Sequence, residues 1–202
     1  MQSSSLFAAS AMPDRDWWQA LWPDPAEVLA EIGVRSEMTA VDLCCGDGYF
    51  TAQLSRQVAS RVYAIDADPE MLARTRHEIE RTAAPPCILI EADAFDLPSV
   101  LPCKVDYVLL ANTLHGVGDK TALARQVAAV LTEDGTFAVI NWHARPREET
   151  VVLGKPRGPR TELRMAPEYT RRAVEPAGFR LDGIVECPPY HYAALFRKQP
   201  TP

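Results

Sequence analysis

Short apolar runs alternate with segments of helical pattern along most of this chain, and this alternation restricts the possible folds more than any other feature. Five runs have the composition of β-strands: 39–43, 61–66, 87–91, 105–110 and 136–142. Most of the stretches between them have the apolar spacing of helices, which indicates βαβ units and a parallel sheet. The run DYVLLA, which starts at Asp106, is almost continuously apolar, as expected for a strand that helices cover on both faces.

Residues that start and stop helices support the same pattern. Asp24 and Asp68 each precede a proline, the order typical of a cap followed by a first helical turn. Gly33 and Gly178 stand where helices are expected to end. The helices predicted in this way cover 24–33, 49–59, 68–81, 120–131 and 167–177.

The end of the chain departs from the alternation. The segment FRLDGIVECPPYHYAALFRK at 179–198 contains two β-like runs that only Pro188 and Pro189 separate. Such a short connection leaves no room for a crossover helix, so the two runs pair antiparallel if they pair at all. We therefore expect an α/β fold with three αβα layers. Its doubly wound, Rossmann-like, mostly parallel sheet would have seven strands, with an antiparallel C-terminal strand.

Length and composition predict a single core. The chain has 202 residues, of which 47% are apolar and 24% charged, enough to bury one sizeable core. We expect one domain at 25–202, preceded by an N-terminal extension and cap at 1–24.

Charge narrows the choice of partners. The formal net charge of -6 repels phosphate backbones and anionic membranes, which makes nucleic acid an unlikely ligand. No apolar run approaches the roughly 20 residues of a membrane span. The opening MQSSSLFAASA lacks the basic start of a secretory signal, so we expect a cytoplasmic protein. The sequence leaves the oligomeric state open between monomer and homodimer.

The five cysteines do not form a metal-binding pattern. They lie at 44, 45, 87, 103 and 187, an odd number without a CxxC pair, so no metal site is predicted. Cys44 and Cys45 follow a strand with side chains on opposite faces, which disfavours joint chelation. We interpret both as small buried hydrophobic residues. A role for the vicinal thiols in metalloid methylation stays open as a narrower alternative.

The stretch VDLCCGDG at 41–48 is the strongest local signal for a ligand site. Its glycines follow the first predicted strand and precede a helix, where the backbone can approach a ligand and helix N–H groups are free. A dinucleotide site is one interpretation, and an NAD(P)-dependent oxidoreductase is therefore an alternative. Against it, the third glycine of a GxGxxG pattern falls on Thr51, and Asp42 would repel a pyrophosphate.

The same stretch resembles motif I of the class I S-adenosylmethionine-dependent methyltransferases, an acid followed by alternate glycines, although Cys44 replaces the usual first glycine. Further segments resemble the later motifs in the same order, and the likeness spans 25–197. It is closest to the small-molecule type, similar to the ubiquinone and menaquinone biosynthesis methyltransferases. The segments are VYAIDADPEML at 62–72, IEADAFDLP at 90–98, VDYVLLANTLHGVGD at 105–119 and GTFAVINW at 135–142.

The resemblance implies S-adenosylmethionine as cofactor, with S-adenosylhomocysteine as product. Asp42 would hold the ammonium end and Asp66 both ribose hydroxyls. Asp93 would accept from the exocyclic amine of adenine, Ala94 would offer its backbone N–H to the ring, and Asn112 would border the methionine part. The predicted cofactor residues are Asp42, Cys44, Gly46, Gly48, Asp66, Ala67, Asp93, Ala94 and Asn112.

The implied reaction is methyl transfer by in-line displacement to a small-molecule acceptor, which could be anionic. His115 and His143 follow the fourth and fifth strands and are the candidate general bases, since imidazole titrates near neutral pH. A module that binds the cofactor without catalysis is a further alternative. The acceptor itself cannot be named from a likeness at the level of the fold.

Two segments outside the shared motifs are candidates for binding the acceptor. Trp18 and Trp22 lie four residues apart and so share a helix face ahead of the first strand. The long segment 143–167, called the basic loop below, has more positive than negative side chains in an acidic protein. We predict that this loop covers the acceptor and that Arg157 and Arg160 grip a carboxylate or phosphate on it.

Overall fold

A computed structural model describes residues 15–200. Residues 1–14, the first part of the predicted extension, lie outside the described residues. They include the opening stretch that was compared above with a secretory signal. None of the helices between residues 15 and 200 has the length and apolarity that a bilayer crossing needs.

Helices and strands alternate as the sequence pattern predicts. The helices are α1 Arg15–Leu21, α2 Pro25–Glu31, α3 Thr51–Gln57, α4 Pro69–Arg81, α5 Leu97–Val100, α6 Lys120–Val130 and α7 Pro167–Val174. The strands are β1 Thr39–Leu43, β2 Arg61–Asp66, β3 Ile88–Glu91, β4 Val105–Ala111, β5 Leu131–Trp142, β6 Val151–Val152, β7 Lys155–Pro156, β8 Phe179–Cys187 and β9 His191–Lys198.

Seven strands form one sheet in the order β3-β2-β1-β4-β5-β9-β8. The pairs among β1 to β5 are parallel, whereas β9 is antiparallel to both β5 and β8. The predicted fold class is confirmed, and the antiparallel strand lies inside the sheet, between β5 and the edge strand β8.

Helices cover both faces of the sheet. One face packs apolar side chains of α1, α2 and α3, and the other packs side chains of α5, α6 and α7. The sheet residues Tyr63, Tyr107 and Phe137 are at most 1% exposed, so the middle layer is buried on both sides. This burial explains why the central strands read as nearly continuous apolar runs.

Some boundaries differ from the prediction. Leu131, predicted to end a helix, has extended backbone and pairs with Val105, so β5 begins five residues earlier than expected. The helix after the glycine turn is shorter than 49–59 because Val58 already has extended backbone. The basic loop is not irregular: β6 and β7 pair antiparallel inside it.

The end of α2 is tied to the centre of the sheet by one side chain. Tyr107 on β4 is fully buried, and its hydroxyl donates to the carbonyl oxygen of Ile32 at 2.9 Å. Ile32 is the C-cap of α2, where carbonyl groups lack partners within the helix.

Tyr107→Phe removes this hydrogen bond and leaves the Ile32 carbonyl without its donor. We expect the free energy of unfolding to fall by about 1 to 2 kcal/mol, the cost of an unsatisfied buried acceptor. Urea titration would measure the change. The exposed Tyr169 offers the matched control Tyr169→Phe, and equal losses in the two variants would contradict this interpretation.

Candidate functional site

The carboxyl ends of β1 and β4 mark the point where the sheet reverses its winding order. From β1 the chain builds β2 and β3 on one side and β4 and β5 on the other. Ligands of open α/β sheets bind in the crevice at such a point. All nine predicted cofactor residues follow or end the strands β1 to β4, so the topology brings them to one edge of the sheet.

The carboxylate of Asp66 joins the end of β2 to the turn after β1. Its Oδ2 accepts from the backbone N–H of Gly46 at 2.9 Å, and its Oδ1 accepts from the N–H of Asp68 at 3.0 Å. Ala67, between the two acids, is half-buried. The acid that the sequence assigns to the ribose therefore lies directly against the glycine turn.

Positive backbone angles shape the turn itself. Gly46 and Gly48 have φ values of 57° and 82°, and Cys44 has 59°, a region that residues with a side chain seldom adopt. A Cβ at Gly48 would lie 2.8 Å from Cα of Thr75 on α4. The hydroxyl of Thr75 donates to the carbonyl of Gly46 at 2.9 Å, so α4 packs against the turn and holds it.

Asp42 is a buried carboxyl group near the end of β1, just before this turn. It is 2% exposed, and Oδ2 accepts from the hydroxyl of Thr51 at 2.6 Å. Burial raises its pKa from 3.8 to about 7, the Thr51 hydrogen bond opposes that shift, and the charges of Asp66 and Asp47 add to it. Near neutral pH this group is therefore poised between its neutral and charged forms.

The surroundings of the vicinal thiols disfavour their charged thiolate forms. Burial raises the pKa of Cys44 and of Cys45 well above the usual range, and nearby carboxylates add to the shift. For Cys44 these carboxylates include Asp66, Asp42 and Asp93. Within residues 15–200 no cluster of three His, Cys, Asp or Glu side chains could hold a metal ion.

The ends of β3 and β4 complete the crevice. Asp93 caps the short helical turn that begins at Ala94, because its Oδ1 accepts from the N–H of Phe95 at 2.9 Å. Asn112 has a positive φ of 56°, and its N–H donates to the carbonyl of Ile140 at 2.8 Å. Its side-chain Oδ1 is buried without a hydrogen-bond partner, so this amide can accept from a ligand.

The two candidate bases lie in different environments. His115 is 6% exposed, and burial, then the charges of Lys120 and Arg164, lower its pKa to about 4. It is neutral at physiological pH but only weakly basic. The Nε2 atom of His143 lies 2.9 Å from Oε2 of Glu186, and this contact orients the ring.

Trp18 and Trp22 are buried in a cluster that also contains Trp17 and Trp142. The rings of Trp18 and Trp22 stack at 5.6 Å, and Trp17 stacks on Trp18 at 4.9 Å. Trp22 contacts Phe50 beside the glycine turn, at 5.3 Å. The first helix thus lies over the carboxyl edge of the sheet, next to the predicted cofactor site.

The arginines of the basic loop differ in their surroundings. Arg160 is largely exposed and lies 3.6 Å from Glu162, whereas Arg157 is half-buried above the ring of Trp17, at 5.6 Å. Sequence reasoning did not single out Arg164, which is 7% exposed and lies 4.9 Å from the ring centre of Trp142.

Thr51, Thr75 and His191 also escaped prediction. Thr51 stands out in the sequence only as the residue that breaks a glycine pattern, yet it holds Asp42. Nothing in the local sequence distinguishes these three residues, because packing against other strands and helices sets their surroundings.

The raised pKa of Asp42 has a consequence for stability. A carboxyl group that binds its proton more tightly in the folded protein than in the unfolded one stabilises the fold fully below pH 3.8. This contribution is lost as the pH rises through about 7. Between about pH 5 and about pH 8 the wild type should lose roughly 2 to 3 kcal/mol more than Asp42→Asn. Urea titrations at both pH values would measure the difference, and parallel losses in the two proteins would contradict a raised pKa.

Comparison with known proteins finds similarity to methyltransferases. Residues 40–135 match the family model described as a methyltransferase domain. Demethylmenaquinone methyltransferase of Staphylococcus aureus is 34% identical over 111 residues, 54% of this chain and 44% of that protein. Trans-aconitate 2-methyltransferase of an Enterobacter species is 34% identical over 115 residues, 56% and 43% respectively. The chain spans about half the length of the curated relatives it matches.

The fold has close counterparts among solved structures. A SAM-dependent methyltransferase from Aquifex aeolicus superposes with a TM-score of 0.76 at 22% identity, over 91% of this chain and 93% of the other. The comparisons support S-adenosylmethionine as the cofactor. Residues 40–135 thus match a methyltransferase domain, and the predicted likeness of the chain to class I S-adenosylmethionine-dependent methyltransferases of small molecules is confirmed.

Proposed function

We propose that this chain is a methyltransferase that moves the methyl group of S-adenosylmethionine to a small-molecule acceptor. The observation that carries the proposal is the junction of Asp66 with the glycine turn at Gly46. A carboxylate there offers oxygen atoms to vicinal hydroxyl groups at the place where the backbone leaves space for a ligand.

The donors and acceptors of the crevice fit the proposed cofactor. Asp66 presents acceptors for a ribose, and the unpartnered Oδ1 of Asn112 presents one for an ammonium or hydroxyl group. Asp42 can supply a negative charge for the ammonium group once it has lost its proton. The N–H of Ala94 and the carboxylate of Asp93 would meet the adenine.

S-adenosylmethionine supplies an electrophilic methyl group when it is bound. The chain's own residues position the two reactants and keep water out, and such alignment lowers the barrier by about 7 to 11 kcal/mol in well-oriented pairs. The tryptophans over the carboxyl edge serve the exclusion of water, since Trp18 and Trp22 are each at most 6% exposed.

A general base is required only where the acceptor arrives protonated. His143 is the better candidate of the two, because its contact with Glu186 orients the ring. With its pKa near 4, His115 is suited to orient an acceptor through a neutral ring.

The class of acceptor is the least determined part of the proposal. The names of the relatives above give demethylmenaquinone and trans-aconitate as the molecules that they methylate. Both are small organic molecules, which supports an acceptor of that size for this chain. Trp18, Trp22, Arg157 and Arg160 are the residues proposed to face it.

Calorimetric titration with S-adenosylmethionine and S-adenosylhomocysteine tests the cofactor assignment. We expect micromolar binding of both, weakened at least tenfold in Asp66→Ala and Asp66→Asn, because a charged acceptor for two hydroxyl groups is lost. Asp66→Asn can still accept from Gly46, which separates ligand binding from the shape of the turn. The exposed Asp134 gives the matched control Asp134→Ala, expected to bind as the wild type does.

The outcomes discriminate among the alternatives. Absence of binding to both sulfur compounds would exclude the proposal, and heat with NADH alone would favour the oxidoreductase. Transfer of a labelled methyl group to demethylmenaquinol, trans-aconitate or related acids would then separate an enzyme from a module that only binds the cofactor.

A further inference from the structure

Arg164 is a buried cation that forms no ion pair with the described residues 15–200. Its Nε donates to the carbonyl of Pro159 at 3.1 Å, and Nη2 donates to Thr150 Oγ1 and the Arg157 carbonyl at 2.9 and 2.8 Å. Nη1 is buried and has no hydrogen-bond partner. Among residues 15–200 no carboxylate forms an ion pair with this guanidinium.

The electrostatics around Arg164 leave its charge without an effective partner. Burial lowers the pKa of the guanidinium, the positive charge of Arg147 lowers it further, and the negative charge of Glu148 opposes both effects. Withdrawing an ion from water without pairing it costs roughly several kcal/mol. An anion from outside the chain would offset this cost.

A second arginine lies beside the first. The hydrogen bond from Arg164 to the backbone of Arg157 holds the two residues together, and the Nε of Arg157 is also buried without a partner. Arg157 lies over Trp17 and Arg164 over Trp142, at 5.6 and 4.9 Å from the ring centroids. Trp17 and Trp142, 6.2 Å apart, form what we call the tryptophan floor.

The other unpartnered groups here are also able to donate. His191 is 1% exposed between Trp142 and Trp22, at 4.0 and 4.5 Å, and neither ring nitrogen has a hydrogen-bond partner. Its pKa is lowered by burial first and by Arg164 next, so the neutral ring has one N–H to give. The indole N–H groups of Trp17 and Trp22 are likewise buried and unpartnered.

We propose that Arg157 and Arg164 bind a carboxylate group of the methyl acceptor, and that this acceptor is a small carboxylic acid. The two unpartnered guanidinium N–H groups can donate to the oxygens of a carboxylate, and the tryptophan floor holds the two arginines in place. The region offers hydrogen-bond donors and few hydrogen-bond acceptors to a ligand. A neutral amide of the same shape is therefore expected to bind less tightly than the acid. The inference rests on the proposed function.

Calorimetry on the full chain tests the inference, with S-adenosylhomocysteine added to saturation. Benzoate and cinnamate are the probes, each compared with its neutral amide. We expect the acids to bind at least tenfold more tightly than the amides, and Arg157→Gln to weaken the acids at least tenfold. Lys155→Gln, an equal loss of charge at an exposed position of the same loop, is expected to change binding less than twofold.

Arg164 also supports the loop, so its substitution is interpreted through two variants. Arg164→Lys keeps the charge and should retain part of the preference for acids, whereas Arg164→Gln should abolish it, with melting temperatures showing that both fold. Equal binding of acids and amides by the wild type, absence of acid binding, or an unchanged Arg157→Gln would overturn the inference. If S-adenosylhomocysteine itself does not bind, the proposed function fails instead, and the same acid and amide pairs measured without it still decide the anion site.

Discussion

The hydrogen bond from the N–H of Gly46 to the carboxylate of Asp66 fixes the spacing of the site. β1 and β2 run parallel and in register, so their carboxyl ends meet at one edge of the sheet. The bond closes the gap between them, and Thr75 holds the same turn from α4. Everything proposed for the cofactor depends on this arrangement, because a turn displaced from β2 would separate the ribose acid from the glycines.

Much of the fold follows from the sequence because its determinants are local. Strand and helix patterns alternate, Asp24 and Asp68 cap their helices as predicted, and Pro188 with Pro189 leaves room only for antiparallel pairing. The order of the strands follows from the rules of parallel sheets and from the likeness to a known family. The start of β5 escaped prediction since it depends on pairing between Leu131 and a strand 26 residues away.

Site residues could be predicted from the sequence where the type of a residue and its spacing by themselves indicate its chemical role. Asp42, Asp66 and the glycines stand out by type and spacing, and the structure places them together. The state of Asp42 did not follow, because its pKa is set by burial and by Thr51, which the sequence does not mark. Similarly, the choice of Arg157 and Arg160 rested on charge alone, whereas Arg164 is distinguished by its burial over Trp142. Burial of a charged side chain is a property of packing, and the pattern of adjacent residues in the sequence does not reveal it.

The clustering of the tryptophans has a consequence for spectroscopy. The chain contains four tryptophans, and all of them belong to the one cluster built from α1 and the end of β5. Stacked indoles couple their electronic transitions, and a guanidinium above a ring alters its emission. The tryptophan fluorescence of this protein therefore describes the cap over the carboxyl edge rather than the molecule as a whole. Loosening of α1 would resemble complete denaturation in such a signal, while melting of the opposite face around α6 would pass almost unseen.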